Sequence, residues 1–251
     1  VPVDFGYVAD YEPPGAVRGM SMSTVITGIS SMATRLILSE LTGRYEAASG
    51  VQVAIKAMGG VDAARLIRAG EGTDIVILAA NVMTQLEAEG HVVSGSIKGF
   101  ARSGMAIAVR TGTLWPDIGD EDAVRRAVSA AGKVCYSTGP SGDHLLRLCE
   151  RWGIPAESDR LIKAPPGVPV GSLVAQGEAD LGFQQLSELI NVAGIDVVGP
   201  LPPEIQAVTV FAAGVSSRSA HKEAAGDVIA YLTSPDTDGV KREQGMEPAT
   251  A

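Results

Sequence analysis

The chain has 251 residues, 45% hydrophobic and 20% charged, enough to bury a sizeable core in one large domain or in two lobes of ordinary size. A net charge of −9 with only 4% aromatic residues argues against nucleic-acid binding, which needs basic patches or stacking rings, and against stacking platforms for sugars. An anionic ligand would need local backbone and hydroxyl donors in a closed cleft, because the global field repels it.

In chain order, residues 1–21 read as an N-terminal extension. Asp4, Asp10, Glu12 and the Pro13-Pro14-Gly15 break leave no basic or apolar region of a signal peptide. A natural start at Met20 or Met22 implies a cytoplasmic protein, whereas removal of an export signal implies a periplasmic one, and both readings stand. No run of about 18 apolar residues occurs, so no membrane insertion is expected. Residues 25–27 predict a first strand leading into a turn, Gly28-Ile29-Ser30-Ser31. Ser31 then caps a helix with apolar positions Leu36, Ile37, Leu41 and Tyr45, ending near Ser49-Gly50. Residues 51–55 form the next strand, the Met58-Gly59-Gly60-Val61-Asp62 turn follows, and a helix over 63–69 stops at Gly70. The wholly apolar 75–78 suits a strand buried on both faces. A polar connection leads to a strand over 101–110.

A second series begins after Trp115-Pro116-Asp117, with a helix over 121–130. The run Val134-Cys135-Tyr136-Ser137-Thr138-Gly139-Pro140-Ser141-Gly142-Asp143-His144 then passes from strand through a hydroxyl- and glycine-rich turn into a helix. Further elements are expected at 160–164, a helix at 170–176, and a strand at 180–184 that opens into Gln184-Gln185-Leu186-Ser187-Glu188. Strands at 195–198 and 206–213 and helices at 220–233 and 237–244 complete the chain. The alternation marks an α/β protein with mainly parallel sheets. Crossings near Ala101 and at Gly199-Pro200-Leu201-Pro202-Pro203 divide it into lobe 1, residues 22–101 with 206–251, and lobe 2, residues 102–205. Cys135 and Cys149 read as buried reduced thiols.

Three strand-to-helix turns aim N–H groups and small hydroxyls at one place, where helix dipoles favour negative charge. Ser30, Ser31, Ser141 and Gly142 are therefore candidate ligand contacts, each with capping as the alternative. Gly59 and Gly60 either let backbone approach the ligand or supply positive φ. Gln184 and Gln185 end a strand where an α/β crevice binds ligands. Arg102 could clamp a carboxylate or be a solvated hinge residue. His144, about one turn into its helix beside the anion seat, is the candidate base, weighed against an ordinary polar helix residue, with Glu188 or Arg102 the next to test should it not be the base. His91 and His221 read as surface residues. No Ser/His/Asp order, Walker loop, dinucleotide fingerprint or zinc spacing occurs, so no metal or cofactor is called for.

Ala64-Arg65-Leu66-Ile67-Arg68-Ala69-Gly70 leading to Asp74-Ile75, and Leu173-Val174-Ala175-Gln176-Gly177-Glu178-Ala179-Asp180-Leu181-Gly182, resemble the molybdate-binding periplasmic proteins, solute receptors of ABC importers. The resemblance covers nearly everything after about Val25. It implies a type II periplasmic-binding-protein fold, a cleft between two α/β lobes, an oxyanion ligand and an importer's membrane complex as partner. Carried over by position, the family's ligand contacts fall at Ser31, at Gly59-Gly60-Val61, at Ser141 and near Val168, and its tyrosine falls on Gln185. Glycines in place of serines and an amide in place of a phenol disfavour molybdate. The segment Tyr136-Ser137-Thr138-Gly139-Pro140-Ser141-Gly142 with His144, and Gly182-Phe183-Gln184-Gln185-Leu186-Ser187-Glu188-Leu189, resemble a subgroup that includes aconitate isomerase. That implies a small polycarboxylate held by residues such as Thr138 and Ser141, and either importer-linked binding or allylic proton transfer.

Overall fold

The computed structural model describes residues 25–249, so the N-terminal extension expected over residues 1–21 lies outside the described residues. The chain opens with strand β1 (Val25–Ser31), a 3-10 turn (Met32–Thr34), α1 (Arg35–Ser49), β2 (Gln52–Met58), α2 (Gly60–Arg68), β3 (Ile75–Ala79), α3 (Ala80–Ala88) and the long β4 (Lys98–Arg110). Then follow α4 (Glu121–Ala130), β5 (Val134–Tyr136), α5 (Pro140–Arg151), β6 (Leu161–Lys163), α6 (Val170–Ala175), β7 (Leu181–Gln185), α7 (Leu186–Leu189) and β8 (Ile195–Pro200). The chain returns through β9 (Val208–Val215), α8 (Lys222–Leu232), a second 3-10 turn (Pro235–Thr237), α9 (Asp238–Glu243) and the short β10 (Glu247–Pro248).

The molecule is an α/β protein of two lobes. In the first, β2, β1 and β3 run parallel, β9 lies antiparallel between β3 and β4, and β10 pairs with β4. In the second, β4 pairs antiparallel with β7 and β8, while β7, β5 and β6 run parallel. The hydrogen-bonded path β2-β1-β3-β9-β4-β7-β5-β6 is continuous because β4 serves both lobes in turn. Its residues Lys98 to Gly104 pair with β9 and Met105 to Arg110 with β7 and β8. We propose the lobe boundary at that change of partner and in the return segment before β9, where Gln206 Oε1 accepts from Met105 N at 2.8 Å.

Each lobe has its own apolar core. Ile26, Leu41, Ile75, Phe100, Phe211 and Val228 pack together in the first, and Met105, Val124, Leu145, Phe183 and Ile205 in the second. β3 is buried along its whole length, as its uninterrupted apolar run requires. Cys135 and Cys149 are both free and buried, and burial pushes each thiol up to about 11, leaving them unreactive at neutral pH.

Three local readings need correction. Gly28 to Ser31 is strand, paired in full with β2, and not a turn. A methyl on Gly28 would meet Ile55 Cγ1 at 3.1 Å, so the glycine serves close packing inside the sheet. Helix α3 occupies part of the stretch read as polar connection; Met83 and Leu86 bury its inner face, and its N-cap, Ala79, makes no side-chain cap bond. Finally, β10 pairs Glu247 with Arg102 and Pro248 with Ala101, a contact too short to show in a sequence pattern.

Candidate functional site

The carboxyl ends of β1, β2 and β3 face those of β5 and β7 across a cleft of about 430 Å³, within the range of small-ligand pockets. From the first lobe it is lined by Ser31, Gly59, Gly60 and Val61, and from the second by Thr138, Ser141, Val168, Gln184 and Gln185. Nine of the expected contacts thus meet at one place.

Ser31 caps the first 3-10 turn, its Oγ accepting from Ala33 N at 3.4 Å. α2 starts at Gly59 without a side-chain cap, so its first N–H groups are left for water or a ligand. Gly59 has φ −56°, and Gly60 is not among the positive-φ glycines, so backbone freedom is not their role. What they leave is space: a methyl on Gly60 would touch nothing within 4 Å, and one on Gly59 would lie 4.0 Å from Thr138 Oγ1 of the other lobe. α5 likewise starts without a side-chain cap, and Ser137 and Ser141 share a 2.8 Å hydroxyl hydrogen bond at its mouth.

Four expected residues stand elsewhere. Ser30 is fully buried, its hydroxyl 3.4 Å from the Ser31 carbonyl. Gly142 lies behind the seat, where any side chain would overlap the Ser137 carbonyl, so its role is to let α5 begin against that turn. Arg102 sits between β9 and β10 partners, outside the cleft lining. His144 turns towards the return segment, its Nε2 donating to the Ile205 carbonyl at 2.8 Å. Although three residues along α5 place it near Ser141, that bond holds the ring away, and the structure does not bring it to the cleft.

The cleft carries a different titratable group. Glu188 on α7 lines it, and burial pushes its carboxyl up to about 7 although the Gln184 amide bonds to it and favours the charged form. Gln184 is fixed in turn, its Oε1 accepting from Val170 N at 3.0 Å. Beside Glu188, Ser187 Oγ and Gln185 Oε1 are buried with no hydrogen-bond partner among the described residues. Gln185 Nε2 donates to Thr209 Oγ1 at 2.7 Å, and because that hydroxyl can also donate, the amide can turn over and offer its N–H to the cleft instead. Buried polar atoms without partners are uncommon, and two at a cleft wall are explained by a ligand that completes them.

Arg35, Arg68 and Asp143 also line the cleft. Arg68 is engaged by Glu89 through bonds of 2.7 and 2.9 Å, whereas Arg35 makes no ion pair among the described residues. Arg35 stands one helical turn beyond Ser31, a spacing that could have revealed it. Glu188 stands in the sequence only as a fallback base after His144, since the environment that sets it apart is made by packing of distant segments.

The profile of a bacterial extracellular solute-binding protein family matches residues 26–247. An aconitate isomerase from a Pseudomonas species is 37% identical over 235 residues, covering 91% of this chain and 89% of the relative. Among solved structures, the periplasmic molybdate-binding protein of Azotobacter vinelandii matches with TM-score 0.73 and 19% identity over 88% of this chain and 98% of its own. The sulfate-binding protein SubI of Mycobacterium tuberculosis matches with TM-score 0.73 and 17% identity over 90% and 88%. The fold agrees with that of these solved structures, and the chain belongs to the bacterial extracellular solute-binding protein family.

Proposed function

We propose that the cleft binds a small polycarboxylate and moves an allylic proton on it, interconverting cis- and trans-aconitate, with Glu188 as the acid-base group. The observation that carries this reading is a cleft carboxyl raised to about 7, beside an unpartnered buried hydroxyl at Ser187. A group with that pKa is present in both protonation states near neutrality and can take a proton and return it. The name of the 37% identical relative supports the same reaction.

The chemistry balances without an oxidant. Glu188 removes a proton from the methylene carbon of aconitate, and the C–H electron pair delocalises over the allylic carbons and the adjoining carboxylate. Rotation and return of the proton to the former vinylic carbon place the double bond on the other side, with either geometry. The uncapped first turns of α2 and α5 and the hydroxyls of Ser31, Ser141 and Ser187 hold the carboxylates and stabilise the developing charge. Arg35 supplies positive charge that Arg68, engaged by Glu89, does not have free to offer the ligand.

Simple retention of a small anion for an importer's membrane complex is the second reading, favoured by the family profile. Incubating the protein with cis-aconitate and following the trans isomer by proton NMR separates the two. Turnover that vanishes in Glu188→Gln supports the isomerase; tight binding without turnover in the wild type supports the receptor.

A further inference from the structure

Helix α7 belongs to the second lobe by sequence and sheet pairing, yet much of what holds it comes from the first. The loop after α9 is seated on it: a methyl on Gly245, where φ is +71°, would lie 3.1 Å from Leu186 Cγ and 3.4 Å from Ser187 Cα. Ser103 Oγ links the two at long range, accepting from Ser187 N and donating to the Gly245 carbonyl, both at 3.4 Å. Next to this contact, Gln244 Oε1 accepts from Asn191 Nδ2 at 2.9 Å, and Gln244 Nε2 donates to Glu40 Oε2 of α1 at 3.1 Å. Only one orientation of the amide serves both partners, because a carboxylate can only accept and Asn191 uses its NH₂ group.

We propose that Gln244 is a positioning residue that clamps α7, and with it the Glu188 carboxyl, against the first lobe. The inference rests on the acid-base reading of Glu188 given above. A helix of one turn has no stability of its own, so its placement is set by such outside contacts. The two Gln244 bonds form only at the present separation of the lobes, since one partner lies on α1 and the other just past α7. When the bridge is lost, α7 loosens and water reaches the carboxyl. The other charged side chains facing this cleft, Arg35 of α1, Arg68 of α2 and Asp143 of α5, are unchanged by that loss.

The test is a carbon-13 NMR titration of the Glu188 carboxyl in the ligand-free protein, assigned by its disappearance in Glu188→Gln. In Gln244→Ala the midpoint is expected to fall by about one pH unit towards the ordinary carboxylate range, with the melting temperature almost unchanged. The acidic limb of the pH profile for aconitate turnover should move with it. Exchanging the two ends, Glu40→Gln together with Gln244→Glu, recreates an amide donating to a carboxylate that still accepts from Asn191, and should restore the midpoint. An unshifted midpoint in Gln244→Ala, or no restoration in the exchange variant, overturns the proposal. If the wild type proves unable to interconvert aconitate, the acid-base reading fails, while the titration still decides whether Gln244 sets the surroundings of Glu188.

Discussion

Replacing Glu188 by glutamine should make the protein more stable at alkaline pH while removing its chemistry. Burial raises the carboxyl from its usual 4.5 to about 7, so between those values the folded state holds a proton that the unfolded chain has released. Stability from this group is therefore complete below about pH 4.5 and falls as pH rises through about 7. The difference corresponds to about 3 kcal/mol at about 1.4 kcal/mol per pH unit. At pH 4 the amide imitates the protonated acid, and wild type and Glu188→Gln should unfold at nearly the same urea concentration. At pH 8 the variant should be the more stable by about 1–3 kcal/mol, a rise of several degrees in melting temperature for a chain of this size. Urea unfolding in a pH series measures this directly. Parallel stability curves for the two proteins would show that Glu188 is an ordinary solvated carboxylate, and the argument for its role in proton transfer would go with it.

Calorimetric titration should rank cis- or trans-aconitate above molybdate, because glycines at 59 and 60 leave room for a larger ligand where hydroxyls would grip a compact one. His144→Ala should leave aconitate binding and turnover within about twofold and lower stability by about 1 kcal/mol, the worth of its bond to Ile205, as read by urea unfolding. Ser187→Ala should weaken aconitate binding by about tenfold without lowering the melting temperature, since the hydroxyl has no partner in the free protein. In Gly142→Ala a methyl would press on the Ser137 carbonyl, and a loss of about 3 kcal/mol or more is expected by the same unfolding assay, with the anion seat distorted.

The alternation of elements and the cleft turns were legible because each rests on local patterns. Apolar runs mark β3, while glycine and hydroxyl clusters mark the starts of α2 and α5. Facing was not legible. His144 and Asp143 are neighbours on α5, yet only Asp143 lines the cleft, and the bond that turns His144 away reaches Ile205, which is 61 positions distant. Ser30 and Ser31 show the same limit in a strand, where successive side chains point to opposite faces. α3 has no local mark because no side chain caps it, and Glu188 ranks behind His144 in the sequence because its raised pKa comes from burial that no local spacing encodes.

The placement of β9 sets an order of events during synthesis. The middle of the first lobe's sheet is completed by a strand made almost last, so β1, β2 and β3 leave the ribosome with the wholly apolar β3 as an open edge. The second lobe has all its strands before β9 emerges, and β9 pairs with none of its parallel strands β5, β6 and β7. The second lobe can therefore mature while the first waits half-built, and that interval is when a nascent chain of this topology is most exposed to association with its neighbours.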